Sequence, residues 1–275
     1  ANKGVELELN YIPVNEKNFT WKINLNLTHY KNKITYLPDE KKTTVMDGHG
    51  GYMNGSRYYG EDLPINTWYM KRFAGLSEDG LSLWYYTDKE TNEEKTTTTY
   101  STGDFYLCGD PNPDLYGGFG TSITFHGFDL STQFSYLVGG LTYDYGYAGM
   151  MGNPTATSVG NRWHKDVLKA WSPENPSSTI PRWHFNDLNT TGSSDRFLID
   201  GSYLNLQNIQ VGYTLPDSWT SHLKIKNLRL YFVCDNVYYW SKRKGLDPRR
   251  SISGVGTSGK IAPFRTYSGG ISLQF

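Results

Sequence analysis

Polar and apolar residues alternate strictly along several stretches of the chain. Leu7, flanked by Glu6 and Glu8, is an example near the start. A period of two places successive side chains on opposite faces, so the pattern predicts β-strands with one apolar and one polar face. Seven such strands are predicted, over about residues 5–11, 19–30, 116–125, 128–138, 197–214, 223–236 and 263–275.

The strand that ends near Thr214 changes phase in its middle. Apolar residues occupy even-numbered positions up to Leu206 and odd-numbered positions from Ile209 onwards. A shift of one residue turns every later side chain to the opposite face unless an extra residue is accommodated. The sequence therefore predicts a bulge or a strong bend near Gln207 and Asn208.

The connections between the predicted strands alternate between short and long. Short links at 12–18, 126–127 and 215–222 take turns with long links at 31–116, 139–197 and 236–262. Short turns at one rim and long loops at the other are typical of outer-membrane barrels, whose long loops lie outside the cell. One helix is predicted within the long loops, over about 161–171, ended by Ser172-Pro173.

The fold class that follows is all-β, an antiparallel transmembrane β-barrel with long extracellular loops, of which this chain forms a part. Seven strands are too few to close a large barrel, and an open apolar face in water promotes aggregation. The chain shows no internal repeat and no linker that would divide it, so residues 1–275 are treated as one unit.

Composition and charge narrow the classes of function. The 22 Tyr, 8 Trp and 29 Gly suit short half-buried strands and turns. Lys+Arg and Asp+Glu are equal at 27 each, which gives no basic surface for nucleic acid. No apolar run reaches the length of a membrane helix, so a bilayer would be crossed by strands.

The two cysteines and one acidic turn are the candidates for covalent or metal chemistry. Cys108 and Cys234 are open to two interpretations, a disulfide or two separate thiols, and the separate thiols are favoured because Cys234 lies in an alternating strand. The segment GDPNPD at 109–114 resembles the start of a calcium loop. Leu115 and Thr121 stand where such a loop needs a glycine and an acid, so a proline-fixed turn is favoured over weak calcium binding.

No motif for catalysis is found. The chain has no GxSxG, no HExxH and no phosphate-binding glycine loop, and its six histidines are scattered. The predictions are therefore that the chain is not an enzyme, has no catalytic residue and uses neither a cofactor nor a metal.

Aromatic residues in the longest late loop are candidates for contact with a ligand. Trp163, Trp171 and Trp183 lie in this loop. They are interpreted either as packing the loop against itself or as touching a substrate or partner protein. Trp21 and Tyr30, at strand ends, are interpreted as part of an interfacial girdle.

Four segments resemble the SusC/RagA family of TonB-dependent transporters. These are NKGVELELNYIPVNEKNFTWKINLNLTHYKNKI at 2–34, GDPNPDLYGGFGTSITFHGFDLSTQFSYLVGG at 109–140, SDRFLIDGSYLNLQNIQVGYTLP at 194–216 and LKIKNLRLYFVCDNVYYWSKRKGLDP at 223–248. They occur in the family's order, and the weakest match is at 38–95. Arg249 stands where the family has an acidic residue after Asp-Pro.

The resemblance implies a place in the Gram-negative outer membrane and a set of partners. The chain would supply the carboxy-terminal seven or so strands of a plugged barrel of about 22 strands, crossing the membrane several times. The implied partners are the amino-terminal barrel and plug portion, the TonB complex acting through the plug, a SusD-like surface lipoprotein and outer-membrane lipid.

The implied function is active import of nutrient oligomers, with glycans favoured over peptides. The polar parity of the strands would line the lumen as a mixed wall. Its predicted lumen-facing members are Glu6, Glu8, Lys22, Asn24, Asp129 and Gln133. The alternative is a soluble or surface-exposed, aromatic-rich glycan-binding β-protein.

Overall fold

A computed structural model describes residues 1–155, 162–220, 224–250, 253–255 and 263–275. Strands dominate these residues. In chain order they are β1 (Asn2–Glu16), β2 (Phe19–Asn32), β3 (Thr44–Met46), β4 (His49–Asn54), β5 (Arg57–Gly60), β6 (Thr67–Lys71), β7 (Phe73–Leu76), β8 (Ser82–Thr87), β9 (Glu94–Thr97), β10 (Phe105–Leu107), β11 (Leu115–Phe125), β12 (Phe128–Val138), β13 (Leu141–Tyr143), β14 (Leu198–Asp200), β15 (Tyr203–Thr214), β16 (Asn227–Ser241) and β17 (Thr266–Gln274).

Seven long strands form one sheet in the order β1-β2-β11-β12-β15-β16-β17. Every neighbouring pair is antiparallel. The regions in which polar and apolar residues alternate form the strands of this sheet. Successive side chains of a strand point to opposite faces, so each of these strands presents one apolar and one polar face. The predicted all-β, antiparallel fold class is confirmed.

The bounds of several strands differ from the predicted ones. β1 covers Asn2–Glu16 rather than about 5–11, and β17 covers Thr266–Gln274 rather than 263–275. β15 begins at Tyr203 rather than near 197, because residues 198–200 form β14, which pairs with β13 instead of joining the long sheet. β16 begins at Asn227 rather than near 223, and residue 223 itself lies outside the described residues.

The bulge predicted in β15 is confirmed. The register with β12 shifts between Gln133 and Phe134, because Asn208 and Leu206 are their partners and Gln207 has none. The register with β16 shifts at the same place. The extra residue keeps the apolar residues on both sides of it on one face.

The short connections lie at one end of the sheet. The link between β11 and β12 is His126 and Gly127, with φ of 46° and 86°. Positive φ at both central residues is what a two-residue hairpin turn needs to match the twist of its strands. The short helix α2 (Asp217–Thr220) lies in the link between β15 and β16 at the same end.

The long connections at the other end fold into a body of their own, which we call the loop cap. It comprises the described residues of 33–114, 139–202 and 242–265. Its strands form a five-stranded sheet in the order β10-β6-β5-β4-β3, a three-stranded sheet β7-β8-β9 and the pair β13-β14. The expectation that these connections carry one helix and otherwise no regular structure is wrong.

The buried core of the described chain lies in the loop cap. Trp68, Met70, Tyr143, Met151 and Phe197 pack together, and each is at most 5% exposed. Two long connections contribute to this cluster, so the cap closes around a shared apolar centre rather than around each loop separately.

Polar contacts join the three connections of the loop cap. The Asp195 carboxylate accepts a hydrogen bond from the Phe73 amide at 2.8 Å. The Arg57 guanidinium lies 3.1 Å from the centroid of the Trp68 ring and donates to the carbonyls of Asn66 and Ser253. Burial lowers the pKa of Arg57 to about 10, which leaves it charged at neutral pH. The cap is therefore held together across long sequence separations.

The helix predicted over about 161–171 is wrong. Residues 165–169 form a short 3₁₀ helix, and the predicted start at Asn161 lies outside the described residues. The chain cannot continue as a helix because the Trp171 amide donates to the carbonyl of Ile180, 2.8 Å away.

The cap contains instead the helix α1 (Tyr145–Met151). The Asp144 side chain caps this helix by accepting a hydrogen bond from the Tyr147 amide at 3.0 Å. Asp144 also forms an ion pair with Arg243 of the last long connection. The start of α1 thus depends on a residue about a hundred positions away.

Among the described residues, neither helix has the length and apolar character that crossing a membrane would require.

Candidate functional site

The register of the long sheet collects its polar side chains on one face. Residues directly opposite one another on paired strands point to the same side. From the cap end downwards, the polar rows are Glu6-Thr28-Tyr116-Leu137-Tyr203-Ser241, Glu8-Asn26-Gly118-Ser135-Asn205-Tyr239, Asn10-Asn24-Gly120-Gln133-Asn208-Asp235, Lys22-Ser122-Ser131-Gln210-Val233-Ser268 and Thr20-Thr124-Asp129-Gly212-Tyr231-Gly270.

All six residues predicted to face the lumen lie in these rows. Glu6, Glu8, Lys22, Asn24, Asp129 and Gln133 therefore share one face of the sheet. Their role in lining a lumen stays a prediction.

The middle of the polar face is rich in carboxamides. The Asn24 Nδ2 donates to Gln133 Oε1 at 3.4 Å, across the strand that carries Gly120. Asn26 accepts from the Gly118 amide at 2.9 Å, and Asn208 donates to Asp235 at 2.6 Å. Carboxamides both donate and accept, so this region can satisfy hydroxyl and amide groups of a neutral ligand.

An ion pair occupies the polar face near the short turns. Arg229 donates to both carboxylate oxygens of Asp129, at 2.9 and 2.6 Å. Gly212 lies between them, and a Cβ at that position would overlap both side chains. Arg229 alternates with the apolar residues Leu228 and Leu230 in the sequence of β16. This alternation could have predicted that Arg229 lies on the polar face.

A cavity of about 1060 Å³ lies where the polar face meets the loop cap. Four tyrosines from the sheet line it, Tyr30, Tyr116, Tyr136 and Tyr203, together with Asn66 and Asn112 from the cap. The interpretation of Tyr30 as part of an interfacial girdle is wrong, because its ring meets that of Tyr116 inside this cavity, with centroids 6.0 Å apart. No sequence pattern joins residues from so many elements.

Arg249 lies in the wall of this cavity and is held on several sides. It forms a two-pronged ion pair with Asp247 at 2.8 Å, donates to Asn205 and Asn236, and stacks over Tyr239. Hydrogen bonding to Asp247 raises the pKa of the guanidinium further. Arg249 therefore ties the last long connection to the sheet through polar-face residues.

The three candidate tryptophans have different environments in the cap. Trp163 donates to the carbonyl of Gly152 at 3.1 Å and packs edge to face with Trp183, with centroids 5.5 Å apart. Trp171 covers Gly80, where a Cβ would overlap its ring. Trp183 is 42% exposed. Trp163 and Trp171 thus contribute to packing, and contact of any of the three with a substrate or partner stays a prediction.

The remaining candidates for special chemistry have ordinary structural contacts. Cys108 and Cys234 are free thiols, and burial raises the pKa of Cys108 to about 11. Asp110 accepts hydrogen bonds from the amide and side chain of Asn112 at 2.9 and 2.6 Å, as in a fixed turn. Within the part of the chain that the structure describes, no three His, Cys, Asp or Glu side chains are grouped to hold a metal.

The chain is similar in sequence to curated TonB-dependent receptors. It is 28% identical over 304 residues to TonB-dependent receptor P3 of Formosa agariphila, covering 100% of this chain and 28% of the relative. It is 26% identical over 285 residues to TonB-dependent receptor SusC of Bacteroides thetaiotaomicron, covering 100% of this chain and 26% of that protein. The chain thus spans less than a third of the length of these relatives. No family model matches it.

The fold is similar to that of a solved transporter. The structure of the RagAB peptide transporter superposes with a TM-score of 0.81 at 23% identity, over 100% of this chain and 29% of the other. These similarities in sequence and fold confirm the resemblance to SusC/RagA-type TonB-dependent transporters that the four sequence motifs indicate.

Proposed function

We propose that this chain forms part of the wall and the outer loops of a TonB-dependent transporter that imports nutrient oligomers across the outer membrane, glycans rather than peptides. The observation that carries the proposal is the division of the seven-stranded sheet into one polar and one apolar face, which is kept on both sides of the bulge in β15. The two faces require two different surroundings.

The apolar face presents large hydrophobic side chains that no described part of the chain covers. Phe128, Val211, Phe232 and Ile271 are among them, and they are 45% to 66% exposed. Soluble proteins rarely expose an apolar patch above a few hundred Å². Lipid chains would surround these side chains and keep them out of water.

One hydrogen bond on the apolar face joins two polar side chains. Trp21 donates through its indole nitrogen to the Thr121 hydroxyl at 2.8 Å. A polar group in hydrocarbon has no water to bond, so it needs an internal partner. This contact supports the assignment of the face to lipid.

The polar face would line the lumen of the barrel. Its side chains include carboxamides, hydroxyls and a neutralised ion pair, which suit the passage of a hydrated, uncharged oligomer. Glu6, Glu8, Lys22, Asn24, Asp129 and Gln133 are proposed as part of this lining. The preference for glycans rests on the carboxamides and hydroxyls, which outnumber the charged side chains of the three middle rows, Glu8, Asp235 and Lys22.

The two edge strands require further strands. β1 and β17 each pair with a single neighbour in the described chain. Unpaired strand edges are not tolerated in a bilayer, because their backbone groups would lack hydrogen bonds. The proposed neighbours are the amino-terminal barrel strands, which would enclose the plug on which the TonB complex acts.

The loop cap would lie outside the cell, over the mouth of the barrel. The proposed partner there is a SusD-like surface lipoprotein that covers the opening, with Trp183 as the exposed member of the three candidate tryptophans. The short turns would lie at the periplasmic rim.

The proposal is tested by cell fractionation and uptake. The protein that contains this chain should appear in the outer-membrane fraction, migrate faster on gels before heating than after, and require TonB for uptake of its oligomer. A chain that is monomeric and folded in buffer without detergent would contradict the transmembrane assignment.

A further inference from the structure

Two lysines lie directly opposite each other at the cap end of the apolar face. Lys3 of β1 pairs with Lys31 of β2, and both side chains are exposed. Lys3 stands two residues before Val5, and Lys31 stands four residues after Leu27. Residues at even intervals along a strand share a face, so both lysines point to the side of Val5 and Leu27, away from the polar face.

This arrangement is electrostatically unfavourable for the chain by itself. Side chains directly opposite each other on antiparallel strands have Cβ atoms about 5 Å apart, and like charges at such positions destabilise a sheet. Among the described residues, neither of the two lysines forms an ion pair. Lys33, just beyond the end of β2, is different, because the carboxylate of Asp62 lies 2.6 Å from its ammonium group. The described chain therefore compensates one of three neighbouring lysines and leaves two.

The lysine pair lies where the apolar side chains of β1 and β2 end. Leu7 and Leu27 form the second row below the pair, and Phe19 is the last apolar residue of β2 on this face. A strand rises about 3.4 Å per residue and barrel strands are tilted by about 40°, which separates Phe19 from Lys31 by about 30 Å along the membrane normal. The hydrocarbon core of a bilayer is about 30 Å thick. The lysine pair is therefore at the outer boundary of the hydrocarbon when Phe19 is at the inner one.

A phosphate group fits between two lysines at this boundary. Lysine side chains near the end of a membrane-spanning segment lay their apolar stems along hydrocarbon and place their charges at the interface. A phosphate is negatively charged and has several acceptor oxygens, so a single phosphate can accept hydrogen bonds from both ammonium groups. The repulsion between the lysines would then be replaced by attraction of both to one anion.

We infer that Lys3 and Lys31 form a binding site for a phosphorylated lipid headgroup at the outer rim of the barrel. The inference rests on the proposed placement of the sheet in the outer membrane and adds a specific lipid contact to it. The site is on the outside of the wall, so it is separate from the lumen and from the tryptophans proposed to contact a lipoprotein.

Binding of a phosphorylated lipid to the detergent-solubilised full-length protein tests the inference. The probe is diphosphoryl lipid A, and native mass spectrometry follows the fraction of protein that carries it as its concentration is varied. Lys3→Gln and Lys31→Gln should each weaken binding about fivefold, which corresponds to the roughly 1 kcal/mol that one lysine contributes near an anionic surface. The double variant should weaken it about thirtyfold.

Three controls show whether the effect depends on these two charges and on the lipid. Lys89→Gln removes the same charge from an exposed turn between β8 and β9 of the loop cap and should leave lipid binding unchanged. Lys31→Arg keeps the charge and should also bind as wild type does. Inorganic phosphate should not displace the lipid, since it lacks the acyl chains that the apolar face would hold. Gel mobility before and after heating reports whether each barrel is folded.

Melting temperatures in two surroundings separate a lipid from a partner within the barrel. In neutral detergent, Lys31→Gln removes the repulsion with Lys3 and should melt higher than wild type. With diphosphoryl lipid A added, it should melt lower, because a ligand of the folded state stabilises wild type more. If a carboxylate of an adjoining barrel strand paired with the lysines, Lys31→Gln would melt lower in both.

The outcomes that would overturn the inference differ from those that concern import. Unchanged lipid binding by the folded double variant contradicts it, as does a lower melting temperature of Lys31→Gln in both surroundings. Displacement of the lipid by inorganic phosphate would assign the lysines to free phosphate instead. With any of these results, TonB-dependent uptake by an outer-membrane protein would still support import, and only the lipid site would fall.

Discussion

Arg229 of β16 reaches over β15 to hold Asp129 of β12 in a two-pronged ion pair above Gly212. The pair links strands that are not neighbours, so it adds a connection that backbone pairing does not provide.

We predict that this ion pair stabilises the sheet. Both side chains are about a quarter exposed, so solvent screens part of the attraction. A double-mutant cycle with Asp129→Asn and Arg229→Gln should give a coupling of about 1 kcal/mol in denaturant unfolding of the barrel in detergent. The coupling should fall at high salt, and Lys22→Gln on the same face should show no coupling to Asp129→Asn.

The two faces of β2 should respond oppositely to charge. Leu25 lies in the apolar row with Leu9 and Phe119, and Asn24 lies in the carboxamide row. Leu25→Arg should cost about 2 to 4 kcal/mol in barrel stability if its face meets the middle of the bilayer, whereas Asn24→Arg should be mild. The measurement is the folded fraction in lipid vesicles, and equal losses from both changes would contradict the assignment of faces.

Packing of Trp171 on Gly80 should be needed for the local order of the loop cap. Gly80 has a φ of 73°, and a Cβ there would overlap the Trp171 ring. Gly80→Ala should therefore open this part of the cap to protease on intact cells, with a cost of about 1 to 2 kcal/mol from backbone conformation alone. Gly149→Ala, where a Cβ meets nothing within 4 Å, is the matched control.

Trp183 and Phe185 should contribute to the partner contact. They are 42% and 56% exposed, unlike the more enclosed Trp163 and Trp171. Trp183→Ala combined with Phe185→Ala should weaken copurification of a surface lipoprotein, because Trp is enriched among the few interface residues whose truncation costs about 2 kcal/mol or more. Barrel abundance should not change, and normal recovery of the lipoprotein would assign both side chains to the exposed cap surface only.

Asp195 should make the stability of the loop cap depend on pH. Burial raises the pKa of this carboxyl in the folded protein, although it accepts a hydrogen bond from the Phe73 amide. A raised folded pKa contributes stability that is present below the unfolded pKa and is lost as pH rises through the folded pKa. Asp195→Asn should therefore melt higher than wild type at neutral pH.

The same comparison at acidic pH supplies the control for Asp195. The difference in melting temperature between wild type and Asp195→Asn should shrink as pH falls, since the wild-type carboxyl becomes neutral. A difference that is independent of pH would assign the effect of Asp195→Asn to packing.

The long sheet could be predicted from the sequence because its signal is local. Alternation around Leu7 and around Phe119 marks the strands, and the change of parity between Leu206 and Ile209 marks the bulge. The loop cap carries no such signal. All five residues of β6, 67–71, are buried, so neither a polar face nor an alternation reveals that strand.

Long-range contacts explain the other differences. Helix α1 contains Gly146 and Gly149, which disfavour a helix, but Asp144 caps it while bound to Arg243 from a distant connection. The tyrosine-lined cavity likewise joins Tyr30, Tyr116 and Tyr203, which only the pairing of strands brings to one end of a common face. The polar rows, in contrast, can be worked out from the alternation in each strand once the pairing register of the strands is known.

The bulge in β15 is a one-residue insertion in an otherwise regular alternation of polar and apolar side chains. Gln207 has no partner on β12, and removal of this one residue would leave Leu206 followed directly by Asn208, in unbroken alternation. Every other side chain of β15 would keep the face it now has. Length variation among natural versions of this strand should therefore be concentrated at Gln207. One residue can be gained or lost there without moving polar side chains of β15 to the apolar face.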